Sequence, residues 1–291
     1  MSEKFHVAAC YLLLACAASL QACSEPYRGD AGHRAHVLKA SISQMTEDGA
    51  VRTTIDDAIT PHPILWSAND GIMIHFDTDV ATELHYYEIA SGQGTTWAEF
   101  EYKMSATGNG VPAGYSSVVA GYPAMSVLRQ QDNSEIVIEA QREIFLGLEN
   151  VSEFPMHGTG GADGNLTFSC PFGMVCLPVT GSGTLVRLDI DTSGQQKEVT
   201  GYFHINSNTL ETTFLQQVAS GSPYVITWSG SAELSGEVSE FYAILPAGTY
   251  EAGTAMVFRF ADGTQIERRT KMPFTVTRSH ILNLPELNVE P

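Results

Sequence analysis

The feature of this sequence that most restricts its fold is a series of short apolar segments separated by residues that favour turns. The segment at 97–102 has apolar side chains with a period of two, the pattern of a strand with one buried face. Residues 256–260 lead through Asp262 and Gly263 into residues 265–268, and an Asp-Gly pair favours the positive φ angles of a tight hairpin. Because such segments recur about every ten residues, the sequence predicts an all-β protein built from β-sandwiches.

The same two signals, the spacing of apolar residues and the positions of turn residues, predict further elements. The plausible helical pieces are all short, such as residues 140–148. Strands are also predicted at residues 72–76, 84–89, 117–122, 135–139, 166–168, 185–190, 199–205, 224–228, 241–245, 274–277 and 281–284.

Charge excludes several classes of partner. The chain has 33 acidic and 15 basic side chains, and its formal net charge is −18. This charge opposes binding to nucleic acid, which needs Lys and Arg to neutralise phosphates, and it opposes electrostatic docking on anionic lipid. Charged residues make up only 16% of the chain. The surface therefore depends on Ser, Thr, Asn, Gln and Gly, which is typical of secreted β-proteins.

A glycine-rich run at 157–164 interrupts the strand pattern. No strand-loop-helix pattern surrounds it, so we interpret it as an interdomain loop rather than a dinucleotide-binding loop. The chain of 291 residues is long enough for two domains of about 150 residues each. The sequence therefore predicts an N-terminal β-sandwich domain at 37–152 and a C-terminal one at 153–291.

The N-terminus is typical of an exported lipoprotein. Lys4 precedes an apolar run at 7–18, which is too short to span a bilayer but has the length of a signal-peptide core. The run ends in Leu20-Gln21-Ala22-Cys23, which resembles the bacterial lipobox. This motif predicts a signal peptide at 1–22, cleavage between Ala22 and Cys23, and acylation of Cys23. Two or more acyl chains would anchor the protein permanently in membrane lipid.

Residues 23–36 contain few apolar side chains and are predicted to form a flexible tether behind the lipid. The tether contains Arg28-Gly29-Asp30, the integrin-type tripeptide, but three residues of this kind recur by chance.

Two cysteines, Cys170 and Cys176, remain after removal of the leader and acylation of Cys23. They could form a short-loop disulfide, since Pro171 and Gly173 permit a bend. The alternative is two buried thiols, because an extended strand of six residues spans about 20 Å and cannot close a disulfide.

Two pairs of carboxylates could in principle bind calcium. Asp77 with Asp79, and Asp189 with Asp191, each place two carboxylates two residues apart. Neither pair continues into a full loop of oxygen ligands. We therefore interpret all four as solvated turn or edge residues.

Few other residues are candidates for catalysis or for ligand binding. His75 and His85 could meet across a hairpin, and we expect a stacked surface pair rather than a metal site. Trp66, Trp97 and Trp228 could form a platform for sugars, but in β-sandwiches such residues are more often core. No nucleophile elbow, zinc-protease helix or phosphate-binding loop occurs. The sequence therefore predicts no enzyme, no metal and no cofactor.

Several local motifs occur in an order that is similar to one family. They are SVVAGYP at 117–123, FPM at 154–156, LTF at 166–168 leading to LPVTG at 177–181, FYAILPAGTY at 241–250 and FTVTRSHI at 274–281. With the lipobox and the tether, this order resembles the fimbrillins of Bacteroidales, which are subunits of lipoprotein-derived pili. The resemblance covers most of the chain after the leader, and it is best after residue 150.

The resemblance implies two tandem transthyretin-like (Greek-key) β-sandwich domains and assembly by donor-strand exchange. In that family the precursor reaches the outer membrane, and a protease that cuts after Arg or Lys removes an N-terminal strand. The vacated groove then takes a strand from the next subunit. Such an exchange is physically sound, because a missing strand leaves unpaired backbone groups and an apolar trough that another strand can fill.

Residues 37–45 are the candidate removable strand in this sequence, and Arg52 is the candidate cleavage site. Arg28 and Arg34 lie too early to release that strand. The alternative is that Arg52 is an exposed loop residue. The tail after Leu284 has only seven residues, which is short for a donor strand, and some family members are unprocessed anchors or tips.

These features together predict a non-enzymatic structural or adhesive subunit of outer-membrane fimbriae, lipid-anchored at Cys23 and exposed at the surface. Its expected partners are other fimbrial subunits, membrane lipid and a host or bacterial surface ligand. The alternative is a surface carbohydrate-binding lipoprotein of a glycan-uptake system, which predicts exposed, coplanar aromatic rings. A hydrolase would instead need a cleft with convergent, perturbed carboxylates or a nucleophile and base.

Overall fold

A computed structural model describes residues 37–44, 46–47, 64–79, 83–106, 108, 110–124, 127–132, 135–140, 143–146, 154–218 and 221–290. These residues belong to one compact unit, His36–Pro291. These residues contain almost no helix, the longest piece being a short 3-10 turn at Ser193–Gln195, so the all-β prediction is confirmed. Within these ranges no helix has the length and apolarity that a membrane crossing requires.

The strands are short and follow one another closely along the chain. They are β1 (Val37–Ile42), β2 (Thr46–Glu47), β3 (Gly71–Phe76), β4 (His85–Ser91), β5 (Trp97–Ser105), β6 (Ser117–Tyr122), β7 (Val127–Asp132), β8 (Glu135–Ala140), β9 (Glu143–Leu146), β10 (Met156–Gly161), β11 (Asn165–Ser169), β12 (Gly173–Thr180), β13 (Ser182–Asp191), β14 (Gly201–Asn206), β15 (Thr212–Gln216), β16 (Val225–Ser235), β17 (Ser239–Leu245), β18 (Gly248–Tyr250), β19 (Ala255–Phe260), β20 (Gln265–Arg269), β21 (Phe274–Val276), β22 (His280–Asn283) and β23 (Leu287–Asn288).

One group of strands closes into a barrel in the order β1-β11-β10-β6-β3-β4-β5. The others form sheets in the orders β17-β12-β22-β2, β20-β19-β13-β16-β9 and β15-β14-β8-β7, with β23 added to β12 and a small pair, β18-β21. Closure leaves the barrel without edge strands, whereas each open sheet has two.

Strand β12 is buried on both faces. Val175 and Leu177 belong to a core shared with the sheet that contains β13, β16 and β19. Met174 and Cys176 point to the opposite side, into a core shared with β8 and β14. A strand covered on both faces has a continuous apolar run instead of an alternating one, which is the pattern of residues 174–177.

The predicted hairpin at Asp262 and Gly263 joins β19 to β20. Gly263 has φ of +90°, and its N–H donates to the Phe260 carbonyl at 3.0 Å. The Thr264 N–H donates to Asp262 Oδ1 at 2.8 Å. These two bonds are local, and the Ala261 N–H adds a long-range one to the Thr184 carbonyl of β13 at 2.9 Å. The Asp-Gly dipeptide is the local signal for the turn.

Two predictions of local structure were wrong. The glycine-rich run at 157–164 is not a loop, because most of it forms β10 and the turn into β11. A Cβ atom on Gly158 would lie 2.8 Å from Phe168 Cζ, so glycine serves here for close packing inside a strand. The predicted helix at 140–148 contains β9, which pairs in parallel with β16. Pairing with a distant strand overrides local propensity in this segment.

Hydrogen-bonded sheets cross the predicted domain boundary at residues 152 and 153. Strands β10 and β11 follow it in the chain, but they pair with β6 and β1 in the barrel. Strand β8 precedes it and pairs with β14. The division into domains at 37–152 and 153–291 stays a prediction.

Candidate strand-exchange site

The candidate removable strand closes the barrel. Strand β1 lies between β5, to which it is antiparallel, and β11, to which it is parallel. Leu38 is opposite Phe100 of β5, and Ile42 is in register with Phe168 of β11. Without β1 the barrel would be an open sheet with β5 and β11 as its edges.

The side chains of β1 alternate between the barrel interior and the surface. Leu38, Ala40 and Ile42 are exposed by only 1%, 0% and 7%. Val37 and Lys39 face solvent. Burying one large aliphatic side chain stabilises a fold by about 1.5–3 kcal/mol, so Leu38 and Ile42 hold β1 in its slot mainly through apolar contact.

Main-chain hydrogen bonds fix β1 to both neighbours. The pairing is regular over five residues on the β5 side and four on the β11 side. Additional bonds hold the ends of the strand. They are Lys39 N–H to Gly164 O at 2.9 Å, Ile42 N–H to Thr96 O at 2.9 Å, Ser43 N–H to Phe168 O at 2.8 Å and Ser41 Oγ to Leu166 O at 3.3 Å.

Beneath β1, the aromatic ring of Trp66 connects the two flanking strands. It meets Phe100 of β5 edge-on at 5.0 Å and Phe168 of β11 edge-on at 5.3 Å between ring centroids. Trp66 is 1% exposed and belongs to the same core as the inward side chains of β1. The floor of the slot is therefore aromatic, and it is built from residues outside β1.

The chain that follows β1 is joined back to itself by Gln44 and Ile64. The Ile64 N–H donates to Gln44 Oε1 at 3.0 Å, and Gln44 Nε2 donates to the Ile64 carbonyl at 3.2 Å. Residues 48–63, with Arg52, lie outside the described part of the chain. The pair thus brackets the segment that holds the candidate cleavage site.

The structure therefore adds Trp66 and Ile64 to the residues that sequence reasoning assigned to this site, and it gives a partner to Gln44, which lies within the predicted 37–45. The resemblance to fimbrillins indicated the strand itself, at 37–45. No periodic signal marks Gln44 or Ile64, because their contact depends on the closure of a long segment. Ala22 and Cys23 also lie outside the described residues, so lipidation stays a prediction.

Cys170 and Cys176 carry buried thiols in the structure and are not joined to each other. Burial raises the pKa of the Cys170 thiol to about 12, and its S–H donates to the Pro155 carbonyl at 3.6 Å. The second of the two alternatives, buried thiols, describes this structure. Such thiols are unreactive and serve as small apolar groups.

The two histidines are not a surface pair, which corrects the sequence-based expectation. His75 and His85 are exposed by only 1% and 0%. His75 Nδ1 lies 2.9 Å from the Glu83 carbonyl, and His85 Nε2 lies 3.0 Å from Asp79 Oδ2. Strand pairing turns both rings inward, where they satisfy local polar groups. In the described ranges, no three His, Cys, Asp or Glu side chains are grouped to hold a metal ion.

Asp189 is also buried instead of solvated. Burial raises its pKa, but hydrogen bonds from Arg187, Thr227 and Arg259 outweigh that effect and hold the pKa below its usual range. Arg187 Nε donates to Asp189 Oδ1 at 2.9 Å, and Thr227 Oγ1 donates to the same oxygen at 2.7 Å. Asp77 matches its predicted role as a turn residue, since it accepts hydrogen bonds from the N–H groups of residues 116 and 117.

The tryptophans divide between core and surface. Trp66 and Trp228 are core residues at 1% and 2% exposure, as the sequence favoured. Trp97, on the outer face of β5, is 43% exposed.

The fold resembles that of a solved structure from Bacteroides ovatus ATCC 8483 named "putative cell adhesion protein". The two chains are 10% identical, the alignment covers 89% of this chain and 93% of the other, and the TM-score is 0.52. A protein of the same name from Bacteroides fragilis NCTC 9343 has a TM-score of 0.43 at 7% identity, with coverage of 87% and 93%. A "fimbrial protein" from Bacteroides ovatus ATCC 8483 has a TM-score of 0.36 at 9% identity, with coverage of 89% and 51%.

The first likeness establishes a shared fold and nothing more, and the other two are too distant to support an argument. No protein-family model matches the chain. No curated protein matches it either.

Proposed function

We propose that this protein is a structural or adhesive subunit of a cell-surface fimbria and that it assembles by strand exchange at the slot of β1. The observation that carries the proposal is the slot itself. One N-terminal strand fills it, pairs on both sides and buries Leu38, Ala40 and Ile42. A strand from another subunit could satisfy the same backbone groups and fill the same apolar trough.

The position of Arg52 supports proteolytic release of β1. Arg52 lies between Gln44 and Ile64, whose side-chain and main-chain atoms are hydrogen-bonded to each other. A cut after Arg52 would separate β1 and the two-residue β2 from the rest of the chain and leave Ile64 and the other barrel strands in place. The freed strand would then be held only by non-covalent contacts, so a competing strand could replace it.

The remaining parts of the proposal follow the resemblance to fimbrillins. They are two tandem transthyretin-like domains, anchoring in the outer membrane through acylated Cys23, and a role without catalysis. A contact in which one subunit donates a strand to the next is head-to-tail and does not close, so it would build a filament. The likeness in fold to a protein named for cell adhesion is compatible with this role.

Glycan uptake, the alternative function, has less support. It predicts several exposed, coplanar aromatic rings. Two of the three tryptophans are instead buried in the cores.

Limited proteolysis tests the proposal. A soluble chain of residues 24–291 would be treated briefly with an Arg-specific protease, then analysed by mass spectrometry and by electrophoresis without boiling. We expect one cut after Arg52, loss of residues 24–52 and a ladder of stable oligomers. Arg52→Gln is the matched control and should give neither the loss nor the ladder.

A second arm checks that the ladder depends on the slot. Excess synthetic peptide of residues 37–45 should occupy vacated slots and shorten the ladder. A compact monomer that resists cleavage at Arg52, or a cleaved chain that stays monomeric, would contradict assembly by strand exchange in this subunit.

A further inference from the structure

Trp97 is the one tryptophan that the fold leaves exposed. It lies on the outer face of β5 with 43% of its surface accessible, while the other two are core residues. The ring of Trp97 lies in water, so it does not gain the free energy that burial gives to the aromatic rings of the core. An exposed ring of this kind is therefore a candidate contact surface.

The neighbouring strands place hydroxyl groups in register with Trp97. Ser41 of β1 lies opposite Trp97, and Thr167 of β11 lies beside Ser41. Thr159 of β10 lies opposite Thr167. The two threonines are exposed and Ser41 is half-buried. We refer to these four residues as the Trp97 row, and at about 4.8 Å between strands the row extends about 14 Å across the barrel.

We propose that the Trp97 row binds an uncharged oligosaccharide laid across the four strands. A sugar ring has an apolar C–H face and a rim of hydroxyl groups. The indole of Trp97 can cover the apolar face, while the Ser and Thr hydroxyls donate to and accept from the rim. The hydroxyl of Ser41 donates to the Leu166 carbonyl at 3.3 Å, and its lone pairs remain to accept from a sugar.

The charge around the row favours a neutral ligand. None of its four side chains is charged, although the chain as a whole has a net charge of −18. The next register position along the strands pairs Lys39 with Glu99, whose charges are opposite. A polyanion would meet no net positive charge here and would be repelled by the rest of the molecule.

The surroundings of Trp97 also favour a sugar over a second copy of this chain. The centre of a protein-protein interface surrounds an aromatic anchor with other apolar groups. The neighbours of Trp97 across the strands are hydroxyl groups instead. Ser41 belongs to β1, so strand exchange would change one position of the row, but the binding itself does not require fimbrial assembly.

Titration with neutral sugars tests this inference. Cellohexaose, laminarihexaose and xylohexaose would be added to chain 24–291, with hexagalacturonic acid as the charged probe. A change in intrinsic fluorescence that is absent in Trp97→Phe reports on Trp97, which is exposed while the other two tryptophans are buried. We expect saturable binding of at least one neutral hexasaccharide, with weaker or no binding of the charged one.

Variants measured by calorimetry locate the site. Trp97→Ala should weaken binding at least about tenfold, and Trp97→Phe should retain most of it. Thr159→Val combined with Thr167→Val should weaken binding about tenfold, because two hydrogen bonds are lost while shape is kept. Met272→Ala is the control, since Met272 is 74% exposed on a different part of the chain. Urea unfolding of each variant verifies that it is folded.

Three outcomes would overturn the inference. One is the absence of saturable binding to all three neutral sugars. The second is unchanged affinity in folded Trp97→Ala. The third is self-association in sedimentation experiments that Trp97→Ala abolishes, without sugar binding, which would assign the row to contact between copies of the chain.

Discussion

The first and last strands of the described chain are held in very different ways. Strand β1 pairs with a neighbour on each side and places Leu38, Ala40 and Ile42 inside the barrel. Strand β23 pairs only with β12, over two residues, and the chain buries one apolar side chain beyond it, Val289 at 0% exposure. The Val289 N–H donates to the Thr180 carbonyl at 2.8 Å.

The difference supports β1, rather than β23, as the element for the proposed strand exchange. Removing β23 would uncover only the end of β12, which keeps β17 and β22 as neighbours. Removing β1 would open a closed sheet, expose two backbone edges and leave an aromatic floor uncovered. A slot with two edges and an apolar floor pairs an extended strand on both sides and buries one of its faces, whereas a single exposed edge pairs it on one side only.

The largest effect is expected when a charge is placed in the slot. Ala40→Asp buries a carboxylate with no partner where the native side chain is 0% exposed. We expect a loss of about 4 kcal/mol or more in the free energy of unfolding, measured in urea. Lys39→Gln, one residue away and facing solvent, should change it by less than about 0.5 kcal/mol. Similar losses in both variants would show that β1 is not seated in the barrel as described.

A cavity in the slot should have the next largest effect. Leu38→Ala removes a side chain that is 1% exposed, and we expect a loss of about 3 kcal/mol in unfolding free energy. Val37→Ala is the matched control, because Val37 is 48% exposed and should matter little. Equal values for the two variants would contradict the alternation of β1.

Acid should weaken the barrel through His157, which lies on β10. Burial lowers its pKa from 6.5 to about 4. Between these values the unfolded chain binds the proton and the folded chain does not, so stability is lost as pH falls from 6.5 towards 4. A pKa shift of this size corresponds to a loss of at most about 3 kcal/mol in the free energy of unfolding.

His157→Gln should flatten this dependence in urea unfolding at a series of pH values from 7 to about 4. Hydrogen-exchange protection should also fall in β10, β11 and β1 over that window, and not in β12 and β23. Identical pH profiles for the native chain and the variant would exclude His157 as the cause.

The smallest effect is expected at the other end of the chain. Val289→Ala removes two methyl groups, so we expect a loss of about 1.5 kcal/mol in unfolding free energy. Glu290→Ala is exposed and should be neutral. A loss at Val289 that exceeds the loss at Leu38 would reverse the comparison between the two ends.

Sequence reasoning succeeded best for elements whose structure is determined by neighbouring residues. The hairpin at Asp262 and Gly263 was predicted from its own turn residues, whereas β1 was placed at 37–45 by the resemblance to fimbrillins. The glycine-rich strand β10 was missed because the reason for Gly158 is a ring ten residues away, Phe168, packed against it. The segment at 140–148 was misassigned because its partner, β16, is more than eighty residues distant.

The candidate site could be predicted only in part. The sequence indicated the removable strand at 37–45, but it could not show which strands flank it. The pairing of β1 with β11 joins residues 125 apart in the chain, as the Ser41 to Leu166 hydrogen bond records. No local sequence pattern predicts that Trp66 lies beneath β1 and β11, because its position depends on the closure of the whole barrel.

The distance along the chain between β1 and β11 also determines when β1 can take its place during synthesis of the protein. Ser41 is synthesised long before Leu166, its partner 125 residues later. Closing so long a loop is slow and costs chain entropy, so β1 has no complete binding place until β11 has emerged. Until then β5 is the one barrel neighbour that β1 can pair with, so its other edge and its apolar side chains stay available to a chaperone or to another chain.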